Sequence, residues 1–258
     1  MMVAGRLHSR VDGPDGAPWV VLSNSLGADL SMWDAQMATL TATHRVLRYD
    51  TRGHGGSATV TGAFTMADLV ADAVAVMDAH GVERADFIGL SMGGMTGLGL
   101  ALAHPARLRR LVCADARADA PEAFRANWDA RIARVTEHGL GSIIEATLDG
   151  WLTADFRAAN PDVVATVRAM VLANDPAGYT ACCAALKSLD YFKDLGGLSV
   201  PTLYICGSED KGAAPDVMRA MAAATPQADF VVIPEAAHVA NINAPAAFNA
   251  ALRAFLVP

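Results

Sequence analysis

A short apolar run that ends in Gly-x-Ser-x-Gly constrains this chain more than any other feature. The run covers residues 86–90, the motif extends from Gly89 to Gly93, and a helix-forming segment follows from Met95 to Ala103. This order is typical of a strand, a sharp turn and a helix that together hold a nucleophilic serine. A strand packed directly against the helix that follows it leaves no room for side chains two residues on either side of the bend, which explains both glycines.

Ser91 occupies the apex of this predicted turn. Its hydroxyl is expected at the end of a strand and at the N-terminus of a helix, where free N–H groups and partial positive charge favour a developing oxyanion. The alternative is a Gly-Ser-Gly loop without chemistry. Because a strand and a helix are predicted on its two sides, Ser91 is interpreted as a nucleophile.

Short apolar runs alternate with helical patterns along most of the chain. Because the runs are apolar on both faces, they fit a parallel sheet covered by helices on each side, which is the doubly wound α/β class. The predicted strands are Trp19–Ser23, Val46–Tyr49, Ala85–Gly89, Leu111–Ala114, Thr202–Cys206 and Phe230–Ile233.

Three further segments complete the predicted core. Residues 66–77 carry apolar side chains at a 3.6-residue period, which predicts an amphipathic helix on the sheet. Pro245 is expected to open a last helix that continues to Pro258. Residues 6–23 are predicted to form an antiparallel hairpin with its turn at residues 12–14.

The alternation stops after Asp115 and resumes at residues 200–203. Residues 121–191 read as helical throughout, without a strand candidate. We therefore expect core segments at 1–118 and 193–258 and a helical lid at 119–192. A helical insertion on the side where the strands end would cover the site.

Composition narrows the possible partners. Apolar residues make up 53% of the 258 residues, charged residues 18%, and the net charge is −7. An acidic chain with dispersed basic residues disfavours nucleic acid. No run reaches the roughly 18 apolar residues of a membrane span, and the first six residues lack the apolar core of a signal peptide. We therefore expect neither nucleic acid nor membrane as a partner.

The cysteines favour a reducing, cytoplasmic location. Cys113 and Cys206 fall in predicted buried strands, and the adjacent pair Cys182 and Cys183 is poorly suited to bridging, so a disulfide framework is not expected. The sequence also lacks C-x-x-C and H-E-x-x-H spacings. We predict no metal and no cofactor.

A serine hydroxyl needs a base in contact with it and a group that orients the base. In this fold class the partners follow in the order Ser, acid, His, each on a loop after a strand. Asp210 and His238 stand in these positions. The alternatives are Glu209 as the acid and a solvent-exposed loop role for His238.

An oxyanion hole requires two N–H donors fixed before the reaction begins. Met92, directly after the nucleophile, is expected to supply one. The loop after the first predicted strand, residues 24–27, is expected to supply the other through the N–H of Leu26. The alternative is that this loop is only a tight turn.

Three stretches make the chain resemble an α/β-hydrolase and, within that superfamily, the 3-oxoadipate enol-lactonases. They are residues 24–33, 48–55 and 89–94, and Asn-Ser at 24–25, where most relatives have His-Gly, narrows the resemblance. Two features depart from the family pattern: Ala237 stands where a glycine usually precedes the triad histidine, and residues 115–118 match only loosely.

The resemblance implies a small enol-lactone substrate that bears a carboxymethyl group, and it points to a tryptophan in the lid. Trp128 and Arg131 lie three apart on a predicted lid helix and share a face, so an indole N–H and a guanidinium are available to bind the carboxylate. The alternative is that Trp128 is lid core and Arg131 part of a solvated face. Trp33 and Trp151 are interpreted as packing residues.

The predicted activity is hydrolysis of this lactone through Ser91, His238 and Asp210 by way of an acyl-enzyme. The same triad opens many acyl bonds, so a carboxylesterase, a lactonase or a lactam hydrolase with another substrate is the alternative. A non-catalytic receptor on this fold would be expected to have a damaged triad. The expected partner is a small lactone or ester, and the sequence makes no prediction of oligomeric state.

Overall fold

The computed structural model describes residues 7–58 and 62–256. Seven strands in these residues form one sheet in the order β1-β3-β2-β4-β5-β6-β7. The last helix is described to Leu256, so its predicted end at Pro258 lies outside the described residues, as do Arg6 of the predicted hairpin and the segment tested for a signal peptide. The strands are β1 Ser9–Asp12, β2 Trp19–Ser23, β3 Arg45–Tyr49, β4 Ala85–Leu90, β5 Leu108–Ala114, β6 Thr202–Gly207 and β7 Ala228–Ile233.

All neighbouring strands from β3 to β7 pair in parallel, which confirms the predicted α/β class. The predicted hairpin is wrong. β1 pairs antiparallel with β3, with Ser9 opposite Tyr49, and it does not pair with β2. The reason is that β2 already lies between two parallel partners, β3 and β4, so both of its edges are occupied.

Helices cover both faces of the sheet, and two apolar clusters form the core between the layers. Alternate residues of β2 pack in different clusters. Val21 packs with the cluster of the helices Met66–Ala79 and Met92–Ala103, whereas Val20 and Leu22 pack with that of the helices Asp34–Leu40 and Pro245–Leu256. The helices are α1 Asp34–Leu40, α2 Met66–Ala79, α3 Met92–Ala103, α4 Glu122–His138, α5 Ile144–Trp151, α6 Ala154–Ala159, α7 Pro161–Leu172, α8 Pro176–Leu186, α9 Pro215–Ala224, α10 Ala240–Asn243 and α11 Pro245–Leu256.

The amphipathic helix α2 shows how local sequence sets these bounds. Thr65 and Asp68 form a capping box that satisfies free N–H groups at its start. His80 caps its end, and Gly81 follows with φ +66°, a backbone conformation that favours glycine. The capping box therefore fixes the start of α2, and the backbone conformation of Gly81 fixes its end.

Helices α4 to α8 lie between β5 and β6, and α4 packs along α8. The chain enters and leaves this helical insertion at one place, where Asp119 and Asp190 form an isolated antiparallel bridge. The N–H groups of Tyr191 and Phe192 both donate to the carbonyl of Ala118, at 2.7 and 3.0 Å. The segments at which the chain enters and leaves the helical insertion are thus bonded to each other.

None of the helices in the described part of the chain has the length and apolar character needed to cross a bilayer. Cys113, Cys182, Cys183 and Cys206 are all buried free thiols.

Candidate active site

Ser91 lies at a sharp bend between β4 and α3. Its backbone has φ 56° and ψ −117°, an unusual conformation for a residue with a side chain. A Cβ atom on Gly89 would lie 2.1 Å from the carbonyl oxygen of Gly93, and one on Gly93 would lie 2.0 Å from that of Ser23. The steric argument for these two glycines is therefore confirmed.

The surrounding sheet holds the strained serine in place. The Ser91 N–H donates to the carbonyl oxygen of Ala114 at the end of β5, at 2.8 Å. Its own carbonyl accepts from Met95 N–H, the first hydrogen bond of α3. Such a backbone conformation costs about 1–3 kcal/mol and persists only where neighbouring structure enforces it. The bend presents the hydroxyl at the helix N-terminus.

His238 and Asp210 reach this hydroxyl from the loops after β7 and β6. His238 Nε2 lies 2.9 Å from Ser91 Oγ, and His238 Nδ1 lies 2.9 Å from Asp210 Oδ2. The Asp210 side chain is fully buried and the imidazole is 17% exposed. Glu209, the alternative acid, is exposed, so the geometry favours Asp210.

The second oxygen of the Asp210 carboxylate is also fixed. Asp210 Oδ1 accepts from the N–H groups of Gly212 at 2.7 Å and Ala213 at 3.0 Å. Burial opposes ionisation, but the charge and hydrogen bond of His238 and these two N–H groups outweigh it and hold the pKa of Asp210 below its usual value. Asp210 is therefore a carboxylate at neutral pH, hydrogen-bonded to the imidazole of His238.

The loop after β2 lies against the bend. The side chain of Asn24 donates to the Tyr49 carbonyl at 2.9 Å and accepts from the Trp33 indole at 2.9 Å, which fixes the loop between two core residues. Within residues 7–58 and 62–256, no acceptor is bonded to the N–H of Leu26 or of Met92. Two backbone donors beside Ser91 thus remain available.

Ser91, His238 and Leu26 open into a cavity of about 410 Å³. Its other wall residues come from the helical insertion and from the loop after β6. Trp128 and Arg131 of α4 both line it, so the structure brings these two predicted residues into one cavity with the serine and the histidine. Sequence reasoning did not single out the other polar lining residues, which include Asn127, Thr147, Tyr179 and Lys211.

Arg131 is held by two hydroxyl groups of the helical insertion. Its Nε donates to Tyr179 Oη at 2.7 Å, and one terminal nitrogen donates to Thr147 Oγ1. Burial raises the pKa of Tyr179, so the hydroxyl stays protonated and able to accept this bond. The guanidinium carbon lies 5.8 Å from the ring centroids of both Tyr179 and Trp128. Arg131 is thus positioned by contacts from three helices.

The tryptophans differ in their roles. Trp128 packs edge-on against Phe124 at 5.6 Å, and its indole N–H is buried without an acceptor in the described residues. Trp33 is fully buried against Phe248, as predicted for a packing residue. Trp151 is buried but also lines the cavity, and its carbonyl accepts from Val239 N–H, beside the histidine, at 3.2 Å. Its interpretation as packing was therefore incomplete.

Across the described ranges, no group of three or more His, Cys, Asp or Glu side chains is arranged to hold a metal ion. The chemistry that the arrangement itself supports is nucleophilic attack by a hydroxyl beside an imidazole and a buried carboxylate. Asp115, directly after β5, is a further buried carboxyl near this group that sequence reasoning did not identify.

Known proteins resemble this chain in sequence and in fold. A family model described as the alpha/beta hydrolase fold matches residues 18–245. The chain is 36% identical to 3-oxoadipate enol-lactonase 1 of Acinetobacter baylyi, over 94% of this chain and 90% of the relative. The crystal structure of the enol-lactonase from Burkholderia xenovorans LB400 matches with a TM-score of 0.94 and 39% identity, covering 97% of this chain and 96% of that one. The chain is also 32% identical to a protein of Variovorax paradoxus named "Putative carbamate hydrolase RutD", over 97% and 96% of the two chains.

Proposed function

The chain belongs to the α/β-hydrolase family, in the branch that holds the 3-oxoadipate enol-lactonases, and is a hydrolase; from this premise we propose that it opens a small enol-lactone bearing a carboxylate, with 3-oxoadipate enol-lactone as substrate. The observation that carries the proposal is the hydrogen-bonded line from Ser91 through His238 to Asp210, which opens into a cavity walled by Arg131.

In the proposed reaction, His238 Nε2 takes the proton of Ser91 Oγ as the oxygen attacks the lactone carbonyl. Asp210 holds the imidazole in the required orientation and stabilises its charged form. The N–H groups of Leu26 and Met92 stabilise the oxyanion. Ring opening then leaves an acyl-enzyme, and His238 gives its proton to the departing enol oxygen.

The departing enol makes the first step favourable, because it rearranges to a ketone and no longer competes as a nucleophile. His238 then takes a proton from water as the water oxygen attacks the acyl-enzyme, and it gives this proton to Ser91 Oγ as the product leaves as a diacid. Residues of the chain supply every proton transfer and every oxyanion contact in this sequence. The reaction is therefore one that needs no cofactor.

Arg131 is the proposed anchor for the substrate carboxylate. Its Nε and one terminal nitrogen are engaged by Tyr179 and Thr147, which leaves N–H groups of the guanidinium free to bind a carboxylate. The unpaired indole N–H of Trp128 supplies a neighbouring donor. A preformed cation with a neighbouring donor suits an anionic substrate better than a neutral ester.

The helical insertion, residues 119–192, is proposed to act as the lid that carries this anchor. The four buried free thiols support the proposal that the enzyme works in the reducing cytoplasm. The similarity to enol-lactonases supports a role in the breakdown of aromatic acids.

Replacing Arg131 by alanine tests the substrate. Losing one charge-assisted hydrogen bond costs about 1.5–3 kcal/mol, so KM for the lactone is expected to rise about ten- to hundredfold. KM for the corresponding neutral methyl ester is expected to change little. Arg134→Ala is the matched control, since Arg134 lies on the same helix, is exposed and donates to the Ser142 carbonyl. An equal rise in KM for both substrates would contradict the anchor.

The similarity to RutD supports a second candidate, hydrolysis of a carbamate by the same triad. The two functions separate when ammonia release from a small carbamate is measured beside loss of the lactone. A carbamate rate well above the lactone rate, with both abolished in Ser91→Ala, would replace the first proposal by the second.

A further inference from the structure

Asp115 is a buried carboxyl to which the proposed mechanism gives no role. It is the first residue after β5 and has no exposed surface. Its backbone φ is +45°, one of few positive values at residues other than glycine among those described. A charged or polar group in such a place must find partners, because leaving it unpaired in the interior is costly.

The partners of Asp115 belong to the two loops that carry the acid and the base. Asp115 Oδ1 accepts from the N–H of Gly207 at 2.8 Å, at the end of β6 and three residues before Asp210. Asp115 Oδ2 accepts from the N–H of Ala240 at 3.3 Å, two residues after His238. One side chain thus joins two loops that follow different strands.

The carboxyl of Asp115 also lies close enough to the carboxyl of Asp210 for the two groups to interact. Two neighbouring carboxylates in a buried site do not both stay charged, so one of them keeps a proton. Burial first, and then the negative charge of Asp210, raise the pKa of Asp115 well above its usual value, whereas the pKa of Asp210 is lowered. The proton therefore belongs to Asp115.

Burial and the charge of Asp210 raise the pKa of Asp115 and outweigh the two backbone N–H groups, which favour its charged form. Besides Asp210, the titratable groups facing it are the thiols of Cys113 on β5 and Cys206 on β6, and His238 lies beyond Asp210. Burial raises the pKa of Cys206 to about 12, so this thiol is neutral too. No Lys or Arg hydrogen bond to Asp115 occurs in the described ranges.

We propose that Asp115 is a positioning residue: as a neutral carboxyl it ties the loops of Asp210 and His238 together and donates its proton to Asp210, which keeps that carboxylate aimed at the base. This inference rests on the proposed triad. Asp115 lines the cavity but has no exposed surface, so its effect is expected in kcat rather than in KM.

Kinetics of two substitutions provide the first test. Asp115→Ala leaves the N–H groups of Gly207 and Ala240 without acceptors, and a misplacement of about 1 Å at the triad lowers kcat about hundredfold. Asp115→Asn keeps one acceptor oxygen but places an NH2 group where the other oxygen accepted an N–H, so its kcat is expected to lie between those of Asp115→Ala and the wild type, with the acid limb of its pH–rate profile at the wild-type pH. Glu209→Gln is the control, since it removes an exposed carboxylate next to Asp210.

Stability against pH provides the second test and requires no substrate. An unfolded aspartate ionises above about pH 4, whereas burial and the neighbouring Asp210 raise the pKa of the folded Asp115 well above its usual value. The folded state of the wild type therefore loses stability relative to Asp115→Asn as the pH rises, by about tenfold in the folding equilibrium constant per pH unit. Urea unfolding of both proteins at a series of pH values between about 5 and 7 measures this slope.

Three results would overturn the inference: a stability difference that is constant over this range, an acid limb that moves to lower pH in Asp115→Asn, or a kcat in Asp115→Ala equal to that of the wild type. The first two would mean that Asp115 is charged in the folded protein. Measurements on Asp115→Asn decide the question even if the alanine variant fails to fold. Failure of the proposed function is distinguishable, because it shows as an inert lactone while the stability slope is unaffected.

Discussion

Replacing Gly93 by alanine is expected to damage catalysis far more than stability. The added Cβ atom would lie 2.0 Å from the carbonyl oxygen of Ser23, whereas real Cβ atoms essentially never approach closer than 3.0 Å. The carbonyl oxygen of Asn24 would also lie 2.9 Å away. Both neighbours are backbone atoms, so the bend at Ser91 and the loop of Leu26 must separate by about 1 Å.

The size of the effect follows from this separation. Moving the Leu26 N–H away from the oxyanion removes one of its two proposed donors, which costs about a hundred- to a thousandfold in kcat. Overpacking costs about 1–3 kcal/mol of unfolding free energy, and the better helix propensity of alanine than glycine returns about 1 kcal/mol. The variant is therefore expected to be folded but nearly inactive.

Gly97→Ala is the matched control on the same helix. Its Cβ atom would meet the side-chain atoms Leu111 Cδ1 at 2.7 Å and Phe87 Cδ1 at 3.0 Å, and side chains yield more easily than backbone. The assay is kcat for the lactone and for an aryl ester, with urea unfolding of each variant. A kcat for Gly93→Ala within tenfold of the wild type, or equal losses in both variants, would refute this reasoning.

Three further predictions follow from the hydrogen bonds of the site. Asn174→Ala removes a buried hydrogen bond from the helical insertion to the carbonyl of Gly27, at 2.8 Å, and is expected to lower the free energy of urea unfolding by about 1–3 kcal/mol. Asn160→Ala is the control and should cost less, because its amide donates only within the insertion; equal losses in the two variants would contradict this role of Asn174. Asp210→Asn is expected to lower kcat by about 10⁴ because it stabilises the wrong imidazole tautomer, whereas Glu209→Gln should leave kcat unchanged; the reverse order would exchange their roles. Because the pKa of Asp210 is lowered on folding, its contribution to stability is complete above about pH 4 and is lost as the pH falls through its folded value. Urea unfolding should therefore show the wild type losing stability relative to Asp210→Asn on acidification. Unfolding free energies that change equally with pH in both proteins would contradict this.

The fold was predictable from the sequence where local pattern decides it. Apolar runs that fill both faces of a sheet, and the two glycines around Ser91, carry their structural meaning within a few residues. The strand bounds therefore differ from those predicted by at most three residues, at the start of β5. The order of Ser91, Asp210 and His238 along the chain predicted three side chains that the structure brings within hydrogen-bonding distance.

The partner of β1 was not predictable in this way. A four-residue strand with Val11 as its one apolar residue carries little pairing information, and nearness in sequence suggested β2. The pairing of β1 depends instead on strands that lie farther along the chain. Because β3 and β4 occupy both edges of β2, β1 extends the sheet at β3.

The contacts that refine the site are also non-local. Nothing near Asp115 in the sequence indicates that it meets N–H groups of Gly207 and Ala240, about 92 and 125 residues away. Nothing near Tyr179 indicates that it holds Arg131. Glu209 and Asp210 are adjacent in the sequence, and only the path of the loop exposes one and buries the other.

The central claim is that Ser91 opens a carboxylated enol-lactone, and its most direct test is the loss of ultraviolet absorbance of enzymatically generated 3-oxoadipate enol-lactone. The rate is measured for the wild type and Ser91→Ala, with an aryl ester as the comparison substrate. The account predicts efficient turnover of the lactone, faster than that of the ester and abolished in Ser91→Ala. Rapid ester cleavage with an inert lactone would contradict the proposed substrate, and lactone turnover that persists in Ser91→Ala would contradict the nucleophile.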